Sequence, residues 1–104
     1  RALRIADYVD RHYADPDLSI DALSAMFKIS PSYLSRIFKR EKGTGVLPYL
    51  QHKRIAQAMV LLGTTNLRIR EVALQVGYLS DQTFARTFKS VTGSTPSAYR
   101  EKRD

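Results

Sequence analysis

A chain of 104 residues with 17 basic and 10 acidic side chains, a net charge of +7 and no cysteine has room for one small domain, or two very small ones sharing a core. It has no room for a large buried enzyme cavity. The missing cysteines exclude disulfides and thiolate metal sites and suit a reducing cytoplasm, where the protein is expected to act. No apolar run approaches the roughly 20 residues of a membrane span, and no signal peptide is visible at the start, so no membrane partner is expected. With Arg1 in the first position, the chain reads as a fragment that a further domain precedes.

The first helix is marked by Ala2, Ile5, Ala6, Val9 and Tyr13, an apolar stripe at helical spacing with Arg4, Asp7, Asp10 and Arg11 outside it. Asp15-Pro16-Asp17 ends it, because a residue before proline is pushed out of the helical region. A second helix is predicted from Ile20 to Phe27 with Ser19 as its cap. Ser30-Pro31 starts a third, a capping hydroxyl followed by a proline whose missing N–H costs nothing at the first helical position. Gly43-Thr44-Gly45 closes it.

A long helix follows from Leu47 to Leu62, with Leu50, Ile55, Ala58, Met59 and Leu62 inward and Gly63 as its stop before Thr64-Thr65-Asn66. At 1.5 Å per residue it is roughly 24 Å long. The fifth helix spans Ile69 to Val76, the sixth Asp81 to Thr92 after Ser80, and a short seventh begins at Thr95-Pro96. No segment reads as a strand. The predicted class is all-α, seven helices in two helix-turn-helix subdomains (1–46 and 64–104) joined by a linker helix (47–63).

Those subdomains repeat one another. Leu18 to Gly43 aligns with Leu67 to Gly93 at an offset of 49 before the turn, pairing Leu18 with Leu67, Leu23 with Val72 and Lys28 with Gly77. After the turn the offset is 50, pairing Ser30 with Ser80, Arg36 with Arg86, Phe38 with Phe88 and Lys39 with Lys89. One residue has been added in the second turn, as expected of a duplicated unit whose turn tolerates length change while its helices do not. Charge follows the same plan. Residues 1–27 carry three basic and five acidic side chains, residues 28–54 seven and one, and residues 55–104 seven and four. Positive charge that begins at a turn and runs along the helix after it is the footprint of a polyanion partner.

On the third helix, with Leu34 at zero and about 100° per residue, Leu34, Ile37 and Phe38 form a buried stripe while Ser32, Arg36 and Lys39 lie near the opposite side. On the sixth, Phe84, Thr87, Phe88 and Val91 make the stripe, and Gln82, Arg86 and Lys89 take the outward positions. A helix that enters the major groove by its N-terminus brings its free N–H groups toward phosphate and its first two turns toward base edges. Arg pairs with guanine O6 and N7, Gln with adenine N6 and N7. Candidate base contacts are therefore Ser32, Ser35, Arg36, Gln82 and Arg86, and candidate phosphate contacts are Ser30, Lys39, Arg40, Lys42, Ser80 and Lys89. Adjacent major-groove segments on one face of B-DNA lie about 34 Å apart, and a linker helix of roughly 24 Å with a recognition unit projecting from either end is about the right spacer. A single chain could then do what other helix-turn-helix proteins do as dimers.

At these residues the chain resembles the AraC/XylS family of bacterial transcription regulators, over Leu18 to Arg100. The stretch IREVALQVGYLSDQTFARTFKSVTGSTPSAYR, Ile69 to Arg100, carries the most specific part of the likeness, and SPSYLSRIFKREKG, Ser30 to Gly43, is also typical. The resemblance implies seven helices, binding to promoter DNA through the third and sixth, and in most members activation through RNA polymerase. Position by position, the family's base-contacting sites match Ser32, Ser35, Arg36, Gln82 and Arg86. In relatives a region upstream binds a small molecule, receives a phosphoryl group or mediates dimerisation, so this segment is expected to be monomeric and the full-length protein able to dimerise. Three departures stand out. Lys28 occupies a turn position where many relatives have glycine, implying a left-handed residue under mild strain or a turn of different shape. Pro48 comes two positions later than the proline often found at the linker's start, which leaves that helix's first turn open. Arg68 replaces the small capping residue before the fifth helix and weakens that end.

The plainer alternatives are a surface ion pair for Arg36 and Arg86, local capping for Ser32 and Gln82, and a contact with water only for Ser35. Tyr33 lies at the edge of the stripe, where it either pads the core or touches the sugar-phosphate chain, and Tyr99 reads as a packing anchor. His12 and His52 have no metal spacing, and no Ser/His/Asp set, carboxylate pair or phosphate-cradling loop is recognisable, so neither metal, cofactor nor enzymatic activity is expected. A protein-interaction module gripping an acidic partner is the competing class, separated from a DNA reader by the steep salt dependence that counterion release imposes on the latter.

Overall fold

The computed structural model describes residues 2–102, without the side chain of Ala2, whose expected place in the first stripe lies outside the described residues. The helices are α1 (Ala2–His12), α2 (Ile20–Phe27), α3 (Pro31–Lys42), α4 (Val46–Thr64), α5 (Ile69–Val76), α6 (Asp81–Thr92) and α7 (Pro96–Glu101), and all regular structure among the described residues is helical.

Side-chain hydroxyls start four of them. The Oγ of Ser19 accepts from the Ala22 N–H at 3.0 Å, that of Ser30 from Tyr33 at 3.1 Å and that of Ser80 from Thr83 at 3.2 Å, while the Thr95 Oγ1 accepts from Ala98 at 3.1 Å. Each satisfies one of the N–H groups that the first turn leaves without a partner. Gly43 and Gly93 end α3 and α6 in left-handed conformations. At α5 the Arg68 side chain, which has no acceptor, caps nothing. Glu71 compensates by accepting the Arg68 backbone N–H at 2.8 Å.

The linker helix departs from its expected bounds. It begins at Val46 and continues through Gly63 to Thr64, so Gly63 is not its stop. The physical reason is at its C-terminus. Thr64 and Thr65 each donate a hydroxyl to a carbonyl four residues back, Val60 and Leu61, at 2.7 Å. Arg100 of α7 donates to the carbonyls of Leu62, Thr65 and Leu67. With those carbonyls satisfied, two more helical residues cost less than a glycine gains by leaving the helix. Pro48 sits third in α4 and fits there, because an N–H in the first turn has no intrahelical partner to lose.

Two hydrophobic cores share α4. The first gathers Ile5, Val9, Leu23, Leu34 and Phe38 around Val46 and Leu50, and the second gathers Val72, Val76, Phe84 and Phe88 around Ile55, Ala58 and Leu62. At about 100° per residue, Val46 and Leu50 point one way along α4 and Ile55, Ala58 and Leu62 point roughly 130° away. One helix therefore buries its first turns on one side and its later turns on another. Met59, expected inward, falls at the rim of the second core and is half-buried, as are Thr87 and Val91 of α6. The result is elongated, 44 × 22 × 21 Å, with α3 belonging to one core and α6 to the other.

Candidate nucleic-acid interface

α3 and α6 are held by their apolar sides. Leu34 and Phe38 on α3 and Phe84 and Phe88 on α6 are fully buried, and Ile37 is 6% exposed. That anchoring leaves the opposite faces outward. Ser32, Arg36, Lys39, Arg40 and Lys42 of α3 are exposed, as are Gln82, Arg86 and Lys89 of α6 and the caps Ser30 and Ser80. Ser35 is half-buried on the flank of α3. It lines, with Ser32, Arg36, Lys39 and Arg40, one wall of a shallow groove whose other wall is Ile20 and Asp21 of α2. Five of the expected contact residues thus border one concave surface.

Among the described residues neither Arg36 nor Arg86 makes an ion pair. The Arg36 guanidinium lies 5.5 Å from the centre of the Tyr33 ring, and the half-buried Tyr33 supports it as a platform. Lys42 leans back over Tyr49, with its Nζ 6.0 Å from the ring centre, at the far end of α3 from Ser32. α3 and α6 each begin with a hydroxyl cap and an exposed first turn, so their N-terminal dipoles face solvent.

The histidines do local work. His12 stacks on Tyr8 with ring centroids 4.0 Å apart and bonds the Tyr8 carbonyl, and His52 bonds the Pro48 carbonyl at 2.8 Å. No cluster of three or more metal-ligating side chains occurs among the described residues. Tyr99 packs edge-on against Phe88 at 5.6 Å, the anchor it was expected to be.

Three residues escaped the sequence reading. Arg100 is a helix cap rather than a bystander. Leu79 is the residue added in the second turn, because Ile29 and Tyr78 donate equivalent N–H bonds, to Ser24 and Ala73 at 3.0 and 2.9 Å, and Ser30 follows at once while Ser80 comes one later. It is 74% exposed. Arg54 is the third, a charged residue only 8% exposed in the middle of α4. Its signal was its phase on the helical wheel, between the two apolar sides of α4.

Two capped, outward-facing basic helices on a duplicated scaffold define a helix-turn-helix DNA-binding module. Residues 23–102 match the family model described as a helix-turn-helix domain. The chain is 36% identical over 100 residues to the arabinose operon regulatory protein of Escherichia coli K12, covering 96% of the chain and 34% of that protein. The chain therefore spans about a third of the length of such curated relatives. Among solved structures it is similar to the C-terminal domain of AraT, a response regulator from Geobacillus stearothermophilus, with a TM-score of 0.94, 34% identity and coverage of 96% of this chain and 83% of that one. It is also similar to the DNA-binding domain of the global transcriptional factor AdpA in complex with a target DNA, with a TM-score of 0.89, 27% identity and coverage of 96% and 89%. The chain belongs to the AraC-type helix-turn-helix family, the DNA-binding domains of transcription regulators.

Proposed function

We propose that this chain recognises double-stranded promoter DNA as a monomer, laying α3 and α6 into successive major-groove segments from subdomains 1–46 and 64–104. The observation that carries this reading is the equivalence of Arg36 and Arg86, both exposed and, among the described residues, without an ion pair, each on the outward side of a helix whose other side is locked into its own core. Arg36 and Arg86 read guanine edges. Gln82 reads adenine, and Ser32 and Ser35 approach closely enough to hydrogen-bond whatever base lies beside them. Ser30, Ser80, Lys39, Arg40, Lys42 and Lys89 hold the phosphate chain on either side. A 44 Å long axis accommodates two groove segments about 34 Å apart. The similarity to the DNA-binding domain of AdpA, solved in complex with a target DNA, supports DNA as the partner.

The whole protein, on this reading, is a bacterial transcription regulator of the cytoplasm that contacts RNA polymerase, dimerises through a region upstream of this segment and catalyses nothing itself. No helix among the described residues is long and apolar enough to cross a membrane. Selection of bound sequences from a random duplex pool tests the DNA mode. Two short motifs about ten base pairs apart are expected; a single motif would limit the chain to one reading helix. Alanine at Arg36 or Arg86 should weaken the selected site by about 10- to 100-fold while leaving random duplex nearly unaffected. Equal loss on both duplexes would reduce these arginines to phosphate contacts.

A further inference from the structure

Because α3 and α6 belong to different cores, the spacing between them depends on what holds one core against the other. Arg54 lies at that junction. On α4 it falls about midway in angle between the side that carries Val46 and Leu50 and the side that carries Ile55, Ala58 and Leu62. Its Nε donates to the Tyr13 carbonyl at 2.7 Å, and a terminal guanidinium nitrogen donates to the Asp15 carbonyl at 2.8 Å. Both carbonyls lie in the segment that leaves α1, on the side of the first core. The guanidinium carbon sits 5.3 Å from the centre of the Tyr78 ring, which is packed in the second core.

The turn that launches α6 also bears directly on this group. A side chain added at Gly77 would place its Cβ 2.7 Å from the Arg54 Nε and 2.8 Å from the Tyr13 carbonyl oxygen. Gly77 and Tyr78 therefore close over Arg54 and over the first core's exit segment together. Tyr13 packs against both cores. One side chain thus grips the first half of the molecule by two directional bonds and the second by a cation–π contact. A planar fork carries its donors in one fixed geometry, which neither the rotatable ammonium of a lysine nor an apolar side chain offers.

We propose that Arg54 is the positioning residue that sets the distance and twist between α3 and α6, and with them the spacing of the two half-sites this chain accepts on DNA. The proposal rests on the two-helix reading above. Rigid coupling makes binding by the second helix an intramolecular event that succeeds at one spacing and fails when the geometry forbids both contacts. Each base pair inserted between half-sites moves the second by about 3.4 Å and about 35°, so a stiff junction discriminates single base-pair changes and a loosened one does not.

The test takes the selected DNA site, its half-sites alone, and duplexes with one base pair added to or removed from the spacer. The unaltered chain should lose at least about tenfold in affinity on either altered spacer. Arg54→Met should bind the isolated half-sites as well as the unaltered chain does, keep its helical circular dichroism, and lose less than about threefold between spacers. Arg54→Lys should fall between the two. A folded Arg54→Met with the unaltered chain's spacing profile would overturn the proposal. If Arg54→Met does not fold, Arg54→Lys decides alone, since it keeps stem and charge but loses the fork: an unchanged profile refutes, a flattened one supports. A different result, in which the unaltered chain binds half-sites and composite sites equally well, would refute the two-helix reading itself and the junction's role with it.

Discussion

The turn before α3 and the turn before α6 start from the same backbone. In each, α2 or α5 ends on a left-handed residue, Lys28 at φ 59° or Gly77 at φ 110°, and the next N–H reaches back five residues to a helix carbonyl. Lys28 is exposed, so the first turn accepts an ordinary side chain at the cost of about 1–2 kcal/mol of local strain. Gly77 is buried under Arg54 and the Tyr13 carbonyl, so the second turn has room only for hydrogen. The same turn chemistry thus selects different residues once one copy faces solvent and the other faces its neighbour. The extra residue of the second turn, Leu79, goes outward and leaves the helices on either side in register.

The largest effects should come from the cores that the two copies share in design. Phe38→Ala and Phe88→Ala each empty a fully buried ring site and should each cost about 3–5 kcal/mol in denaturant unfolding. A much smaller loss for one would mean that its core repacks and that the copies are not equivalent. Next in size is the contrast between the turns. Gly77→Ala should destabilise by about 2 kcal/mol or more, because a left-handed alanine is strained and its Cβ collides with Arg54. Lys28→Gly should instead raise stability by up to about 1 kcal/mol by relieving the same strain in the open. Gains or losses of one sign at both positions would dissolve the distinction.

Ser30→Ala and Ser80→Ala should each cost about 1 kcal/mol in thermal or denaturant unfolding, since each removes the bond that caps the start of α3 or α6. Equal losses would show that the caps kept their role in both copies despite the longer second turn. The smallest effect is alkaline. Burial, and then the hydrogen bond donated to Asp10 at 2.8 Å together with that carboxylate's charge, push the Tyr49 phenol from its ordinary value of 10.0 up to about 12. The folded state thus favours the protonated phenol: the stability this contributes is complete below pH 10 and is lost as pH rises through about 12. Burial also raises the Tyr78 phenol, but there the Arg54 charge opposes the shift. Tyr49→Phe should therefore reduce the decline in unfolding free energy between pH 10 and 12. An undiminished decline would assign it elsewhere.

Much of this was legible in the chain because it rests on local rules. A capping hydroxyl, an apolar residue every third or fourth position and a glycine after the last turn act within a few residues of themselves, and the bounds of α6 follow from them. The outward placement of Arg36, Gln82 and Arg86 was legible for the same reason, since burying Leu34, Phe38, Phe84 and Phe88 leaves those residues no other side. Gly63 misled because its local preference was overridden by Arg100, 37 positions away in sequence and beside it in space.

What the sequence by itself determined was the helices, their caps and the two faces that each must have, because backbone hydrogen bonding and apolar periodicity are settled between near neighbours. Only the tertiary structure decided how the two halves meet. Arg54 has its partners, Tyr13 and Asp15 on one side and Tyr78 on the other, only where both cores meet on α4. A buried guanidinium is stable only where carbonyls from distant segments converge on it, and such convergence belongs to the packed molecule.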